Sequence, residues 1–215
     1  MSFESDDESL APGFLVAAPK LEGSPFERAV IAMVHHDDDG AMGFIVNKPV
    51  EIDFGTLLQN AEETVTEEID PATFDKTVSF GGPVRVEQLW VLYHAPGPRE
   101  APTEAELTGA AGGVEQFEEV AEWAFHDDWV VAGSGSVIES FARGDRDATF
   151  HPIIGYSGWG PGQLEGEIEE GSWLAVDFDD TLLLETEPDE RWEAALDIVG
   201  LDPQSFIMMG EGGMA

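Results

Sequence analysis

The chain has 215 residues, with 9 Lys+Arg against 45 Asp+Glu, a formal charge of −36, 42% apolar residues and no cysteine. That length fits one domain of ordinary size, and 13 Phe with 6 Trp supply the apolar bulk of a core, which excludes wholesale disorder. The missing cysteine removes disulfides, thiolate catalysis, zinc–thiolate sites and iron–sulfur clusters, and the charge opposes binding to nucleic acid or to an anionic membrane, which reward clustered cations.

Residues 1–11 are acidic and aperiodic, and a disordered leader is expected there, with the ordered part starting at Pro12. The leader carries acid where a signal peptide needs base, and no run approaches the ~18 apolar residues of a membrane span, so the reading is a cytoplasmic protein. Gly13–Ala18 reads as a buried strand. Ala29–His35 and Gly43–Asn47 flank Asp37-Asp38-Asp39-Gly40 and predict a hairpin, with Asp-Gly as its turn. Asp53 can cap a short helix through Leu57 and Leu58, and Glu62–Asp70 reads as a solvated connection. Thr77–Phe80 and Leu89–His94 are expected to pair across Gly81-Gly82-Pro83. Residues 96–113 read as a loop, and Phe117, Val120, Ala121, Ala124 and Phe125 fall at helical spacing.

In the last third, Val137, Ile138 and Phe141 predict a helix, and Thr149–Ile154 a strand entering a Gly155–Gly160 bend. Pro161 opens a helix bearing Leu164 and Ile168 that Gly171 ends. Trp173–Phe178 and Leu182–Glu185 read as strands, and Trp192, Ala195, Leu196 and Val199 as one face of a final helix closed by Gly200. Strands outnumber helices without regular alternation, which makes the fold class α+β. Acid is spread through Glu62-Glu63, Glu118-Glu119, Asp127-Asp128, Glu169-Glu170 and Asp179-Asp180, so the charge belongs to the domain surface. Such a surface suits a salt-rich cytoplasm, where the screening length shrinks to ~3 Å at 1 M.

Several short motifs promise chemistry. Trp173–Val176 followed by Asp177-Phe178-Asp179-Asp180-Thr181 matches the strand plus D-x-D-x-T of Mg²⁺-dependent aspartyl phosphatases. That motif opens its fold, whereas here it lies near the end of the sequence, and no lysine after Lys76 can neutralise a phosphoryl group. His35-His36-Asp37-Asp38-Asp39 reads as turn chemistry, because adjacent histidines on a strand point to opposite faces. Gly155-Tyr156-Ser157-Gly158-Trp159 lacks the last glycine of a nucleophile elbow, and Gly133-Ser134-Gly135-Ser136-Val137-Ile138 lacks the third glycine of a dinucleotide loop. Gly133 and Gly135 before a helix could cradle an anion, though a plain turn explains them. His94, Tyr156, Trp159 and Gln163 are polar-tipped or aromatic groups in or beside bends and form the candidate ligand-binding set; buried and mutually satisfied core residues are the alternative.

Taken together, Pro12–Ala17, Phe26-Glu27-Arg28-Ala29-Val30, Gly40–Pro49, Gly81-Gly82-Pro83-Val84, His94, Gly155–Trp159, Pro161–Glu165, Trp173-Leu174 and Arg191-Trp192 resemble the AlgH/YqgE family of bacterial proteins over residues 12–203. The resemblance implies a single α+β domain over 12–215, with a bifurcated mixed sheet curled into a pseudo-barrel and flanked by helices. It implies no catalytic residues, only a role in transcriptional regulation suggested by the family name. The acidic leader, a helix-bearing insertion around residues 97–130, and Ser136-Val137-Ile138-Glu139 in place of a Ser/Thr-Arg-Asp pattern depart from it.

The reading is therefore a non-enzymatic cytoplasmic binding or regulatory protein that meets a protein partner or a small ligand, with no metal, no cofactor, no membrane contact and no direct nucleic-acid binding. An enzyme with a small-ligand pocket near the Gly155–Trp159 bend is the alternative, and the phosphatase ranks below it.

Overall fold

The computed structural model describes residues 9–60, 69–95 and 122–212. The strands are β1 (Gly13–Ala17), β2 (Val30–Asp37), β3 (Gly40–Ile45), β4 (Pro49–Asp53), β5 (Thr77–Phe80), β6 (Val84–His94), β7 (Glu122–His126), β8 (Trp129–Ala132), β9 (Thr149–Trp159) and β10 (Trp173–Asp177), of which β1, β3 and β8 are buried along their whole length. The helices are α1 (Phe54–Asn60), α2 (Pro71–Phe74), α3 (Gly135–Ala142), α4 (Gln163–Glu169), α5 (Thr181–Leu184), α6 (Arg191–Ile198) and α7 (Pro203–Gly212). Asp53 Oδ1 accepts the Thr56 amide at the start of α1, as a capping carboxylate should.

The strands form one sheet in the order β10-β1-β2-β3-β9-β6-β8-β7, and β4 and β5 form a branch on β9. The eleven-residue β9 is the fork. Its first half runs antiparallel to β6 (Thr149 opposite His94) and parallel to β5 (Ser79 opposite Ile153), and its last residues leave both to pair with β3 (Trp159 opposite Ala41). Pairing with β5 ends at Ile154 and with β6 at Tyr156, and β3 takes over from Ser157; Gly155 between them has a φ of +68° that favours glycine, and a Cβ there would press on the Gly82 carbonyl. The glycine-rich bend expected at 155–160 is thus mostly strand, and Gly81-Gly82-Pro83 carries the chain from β5 to β6 without pairing the two. Each lies against β9 instead.

The sheet curls, and β7 at one end of the path comes back against β2. Its concave face encloses Phe14, Val30, Met42, Phe44, Trp90, Leu92, Trp129 and Ile153, and Leu182, Leu183, Trp192 and Leu196 from α5 and α6 close one side. The opposite face of β6, β8 and β9 packs α1 and α3 through Phe54, Tyr93, Phe141 and Phe150. A third layer, on the outer face of β1–β3, takes Leu164 of α4, Trp159 and Trp173. The α+β class and the curled, forked sheet implied by the resemblance are what the chain adopts.

Other expectations need correction. Thr181–Leu184 is a helical turn rather than a strand, because Asp179 Oδ1 accepts both the amide and hydroxyl of Thr181 and starts it. Ala124 and Phe125, expected on a helix, lie in β7, where pairing with β8 overrides their spacing; Phe117, Val120 and Ala121 lie outside the described residues. Helix α7 follows α6 beyond Gly200. Order begins before Pro12: the Leu10 amide donates to His36 Nδ1 at 3.0 Å and Ser9 Oγ to the His36 carbonyl at 3.1 Å. Residues 1–8 and most of the insertion around 97–130 lie outside the described residues.

Candidate functional site

The bend after β9 brings together two of the four expected ligand-binding residues and places the other two elsewhere. Gly162, at φ +69°, turns the chain into α4, where Gln163 and Glu167 fall four apart on one face. Glu167 then gathers three donors: Gln163 Nε2 at 2.8 Å, Trp159 Nε1 at 3.0 Å and Trp173 Nε1 at 2.7 Å. Gln163 Oε1 accepts the Gly160 amide at 3.2 Å, so both ends of that amide are used. The Trp159 and Trp173 rings meet edge to face at 6.0 Å.

Tyr156 sits instead on the concave face, edge-on to Trp90 at 6.2 Å. His94 faces the same concavity at the far end of β6, 5.3 Å from the Trp129 ring, and pairs with Thr149, seven residues or about 23 Å along β9 from Tyr156. Between them lies His151, stacked on Trp129. Its Nε2 is buried with no hydrogen-bond partner among the described residues, and burial, helped by Arg191 and Lys76, pushes the imidazole down to about 3, so it is neutral at physiological pH.

The remaining motifs have structural uses. Asp177 ends β10 exposed to solvent, and Asp179 caps α5, so the D-x-D pair does not face a common centre. His35 pairs with Asp37 at 3.0 Å, whereas His36 accepts from Leu10 on Nδ1 and therefore donates from Nε2 to Glu165 at 2.9 Å. The two histidines serve different carboxylates. Among the described residues no group of three His, Asp or Glu is placed to hold a metal. Gly133 lets the Trp90 ring lie against the backbone, which gives it a packing role.

A recess of about 210 Å³ opens elsewhere, between the turn after β1, the segment before β2, α6 and α7. Ala17, Ala18, Pro19, Glu22, Glu27, Arg28, Trp192 and Ile207 line it. Successive turns over Leu21–Ala29, tied by Ser24 Oγ, deliver Arg28 in the left-handed region at φ +51°. Two residues far along the chain hold that shape. Asn47 donates to the Arg28 carbonyl and accepts from the Val30 amide, both at 2.8 Å, and Lys48 Nζ donates to the Glu27 carbonyl.

The Arg28 guanidinium lies 5.2 Å from the centroid of the Trp192 ring. Trp192 is buried, with Nε1 donating to the Ala17 carbonyl at 3.0 Å, so the indole is locked in place. Its neighbour Arg191 is a buried cation that donates to the carbonyls of Val46, Leu183 and Thr186, and burial, opposed by Glu187, pushes it down to about 10; it stays charged at neutral pH. Three of the nine cations, Arg28, Lys48 and Arg191, thus meet at one junction of a chain that otherwise carries acid. Among the described residues no carboxylate forms an ion pair with Arg28.

Sequence reasoning did not single out this recess. The only signal was that Phe26-Glu27-Arg28, Asn47-Lys48-Pro49 and Arg191-Trp192 all belong to segments carrying the family resemblance, and these converge here.

Comparison with known proteins agrees with this architecture. A family profile described as AlgH-like matches residues 14–204. A UPF0301 protein of Anaeromyxobacter dehalogenans is 34% identical over 207 residues, 96% of each chain, and one of Ruegeria pomeroyi is 35% identical over 201 residues, 94% of this chain and 96% of the relative. The solution structure of the AlgH protein from Pseudomonas aeruginosa superposes with a TM-score of 0.70 at 24% identity, covering 100% of this chain and 98% of that one. The crystal structure of a Corynebacterium diphtheriae protein gives 0.62 at 18% identity, over 92% and 90% of the two chains. At those identities the solved structures speak for the fold alone.

Proposed function

Since the chain belongs to the AlgH-like family, whose UPF0301 members carry no activity in their names, we propose that it is a non-enzymatic binding or regulatory protein that works through the recess between Arg28 and Trp192. One observation carries the reading: in a chain with 45 acids, a guanidinium that has no carboxylate partner among the described residues lies over a locked indole in the lining of a recess. The lining supplies recognition groups, an arginine fork, part of an indole, the apolar Pro19 and Ile207 and the carboxylates of Glu22 and Glu27, with no hydroxyl or imidazole for those carboxylates to activate. Its place of work is a salt-rich cytoplasm, consistent with the dispersed acid, and its partner is a small ligand or a protein segment that enters the recess. The scattered cations outside this junction argue against a duplex-binding face.

The test is co-purification from the native cytoplasm at native salt, comparing the wild type with Ala18→Phe, which fills the recess from its lining. The reading requires that the associated species be lost from Ala18→Phe and kept by a Gln163→Ala control. Equal recovery from both variants and wild type would remove the recess from the function.

A further inference from the structure

Resting on that reading of the recess, we infer that its ligand is a small monocarboxylate with an apolar body, the carboxylate taken by the edge of Arg28 and the body by Trp192, Pro19 and Ile207. The chemistry of each wall narrows the class. Trp192 already spends its N–H on the Ala17 carbonyl and is buried under Arg28, so it offers a ligand no donor and only the small part of its ring that reaches the lining, which leaves Pro19 and Ile207 as the main apolar surface. Arg28 is exposed and its guanidinium lies 5.2 Å from the centroid of that ring, and among the described residues it forms no ion pair, so its N–H groups are the part a ligand can meet. A guanidinium is a planar fork matched to the two oxygens of a carboxylate. The backbone that carries it is held at φ +51° by Asn47 and Lys48, a conformation that a residue with a side chain adopts only when its surroundings impose it.

Charge then separates carboxylate from phosphate. Lys48 and Arg191 stand behind the wall on the carbonyls of Glu27 and Val46 and add positive charge there, opposed by Glu187 beside Arg191, while Glu22 and Glu27 line the recess itself. Two carboxylates beside one guanidinium penalise a dianion more than a monoanion. Size adds an upper bound, because about 210 Å³ is below the ~300–1,000 Å³ of pockets that take drug-sized or nucleotide ligands.

The experiment is an amide and indole NMR titration at the KCl concentration that gives the highest thermal midpoint. The probes are phenylacetate, its neutral isostere phenylacetamide and inorganic phosphate, against wild type, Arg28→Lys and Arg28→Gln. Phenylacetate should move the Trp192 indole and the amides of residues 17–28 saturably, and phenylacetamide should bind at least about tenfold more weakly, as loss of a forked, charge-assisted pair requires. Arg28→Gln should bring phenylacetate down to the level of the amide, and Arg28→Lys should fall between. Equal binding of acid and amide at those resonances, phosphate binding more tightly than phenylacetate, an unaffected Arg28→Gln, or no movement with phenylacetate would each overturn the assignment. Acid and amide binding equally in the recess would leave it a binding site and remove only the ligand class; loss of the recess itself is read separately from Ala18→Phe.

Discussion

Two places in this chain set tryptophans beside charged side chains at a change of direction, and they end in opposite electrostatic states. At the start of α4, Glu167 takes the N–H of Trp159, of Trp173 and of Gln163, and the Gly160 amide closes on Gln163, so each of those polar tips has a partner. Before β2, Arg28 covers Trp192 with no carboxylate of the described residues joined to it, although Glu22 and Glu27 line the same recess. Aromatic residues at a glycine-rich bend therefore signal packing as readily as binding. The feature that separates the two regions is whether the folded chain itself consumes the charge.

Salt should have the largest effect and split the regions. Helix α4 and its ends carry Glu165, Glu167, Glu169 and Glu170, part of a surface with net charge −36, whereas the recess gathers cations. The thermal midpoint should rise steeply with KCl from low to molar concentration as repulsion is screened, while phenylacetate affinity at the recess falls over the same range. A midpoint flat in salt would remove the salt-rich reading.

Next in size is Arg191→Met, which leaves three carbonyls without their donor behind the recess; a loss of about 3–5 kcal/mol in chemical denaturation is expected. Glu167→Ala should cost about 2–3 kcal/mol by stranding two indole N–H groups, without altering the recess. If Glu167→Ala instead weakened phenylacetate binding as much as Arg28→Gln does, the two regions would not be independent.

His151 lies between the separated His94 and Tyr156 and gives a pH signature. Its native value of about 3 lies below its ordinary 6.5, so the unfolded chain binds the extra proton between those limits and the contribution to stability, complete above 6.5, is lost as pH falls toward 3. Stability of the wild type relative to His151→Leu should fall on acidification below pH 6.5, by up to about 1.4 kcal/mol per pH unit. A pH-independent difference would contradict the buried neutral imidazole.

The smallest expected stability change is Arg28→Gly. Glycine relieves the φ of +51°, worth about 1 kcal/mol, and forfeits a cation–π contact worth about 0.5–1 kcal/mol, so the net should lie within about 0.5 kcal/mol of zero while phenylacetate binding drops at least about tenfold.

Much of the fold is legible locally. Two apolar runs around an Asp/Gly cluster specify the β2–β3 hairpin, although its turn is Asp38-Asp39 with Gly40 already paired to Asp37, continuous apolar runs give β1 and β10, and the spacings of Val137, Ile138 and Phe141 and of Trp192, Ala195 and Leu196 give α3 and α6. Leu182–Glu185 suggests a strand because so short an apolar-rich run fits either period, and the side-chain cap from Asp179 decides for a helical turn over Thr181–Leu184. The absence of β5–β6 pairing was hidden because β9, seventy residues away, competes for both strands.

The candidate site was less legible for a similar reason. Arg28, Asn47 and Trp192 are far apart in sequence, a positive φ at arginine leaves no mark on composition, and the state of a charge depends on which acids the fold brings near. Trp159 ends β9 and Gln163 opens α4 on either side of the turn between them, and their partner Glu167 is one more acid among 45 until α4 aligns it.

The measurement that bears most directly on this account is an amide and indole NMR map of the isotope-labelled chain, at native salt, titrated with unlabelled cytosolic extract. Binding at the recess predicts shifts or broadening at the Trp192 indole and at residues 17–28, with the Trp159 and Trp173 indoles unmoved. Perturbations centred on those two indoles, with the Trp192 region still, would contradict it.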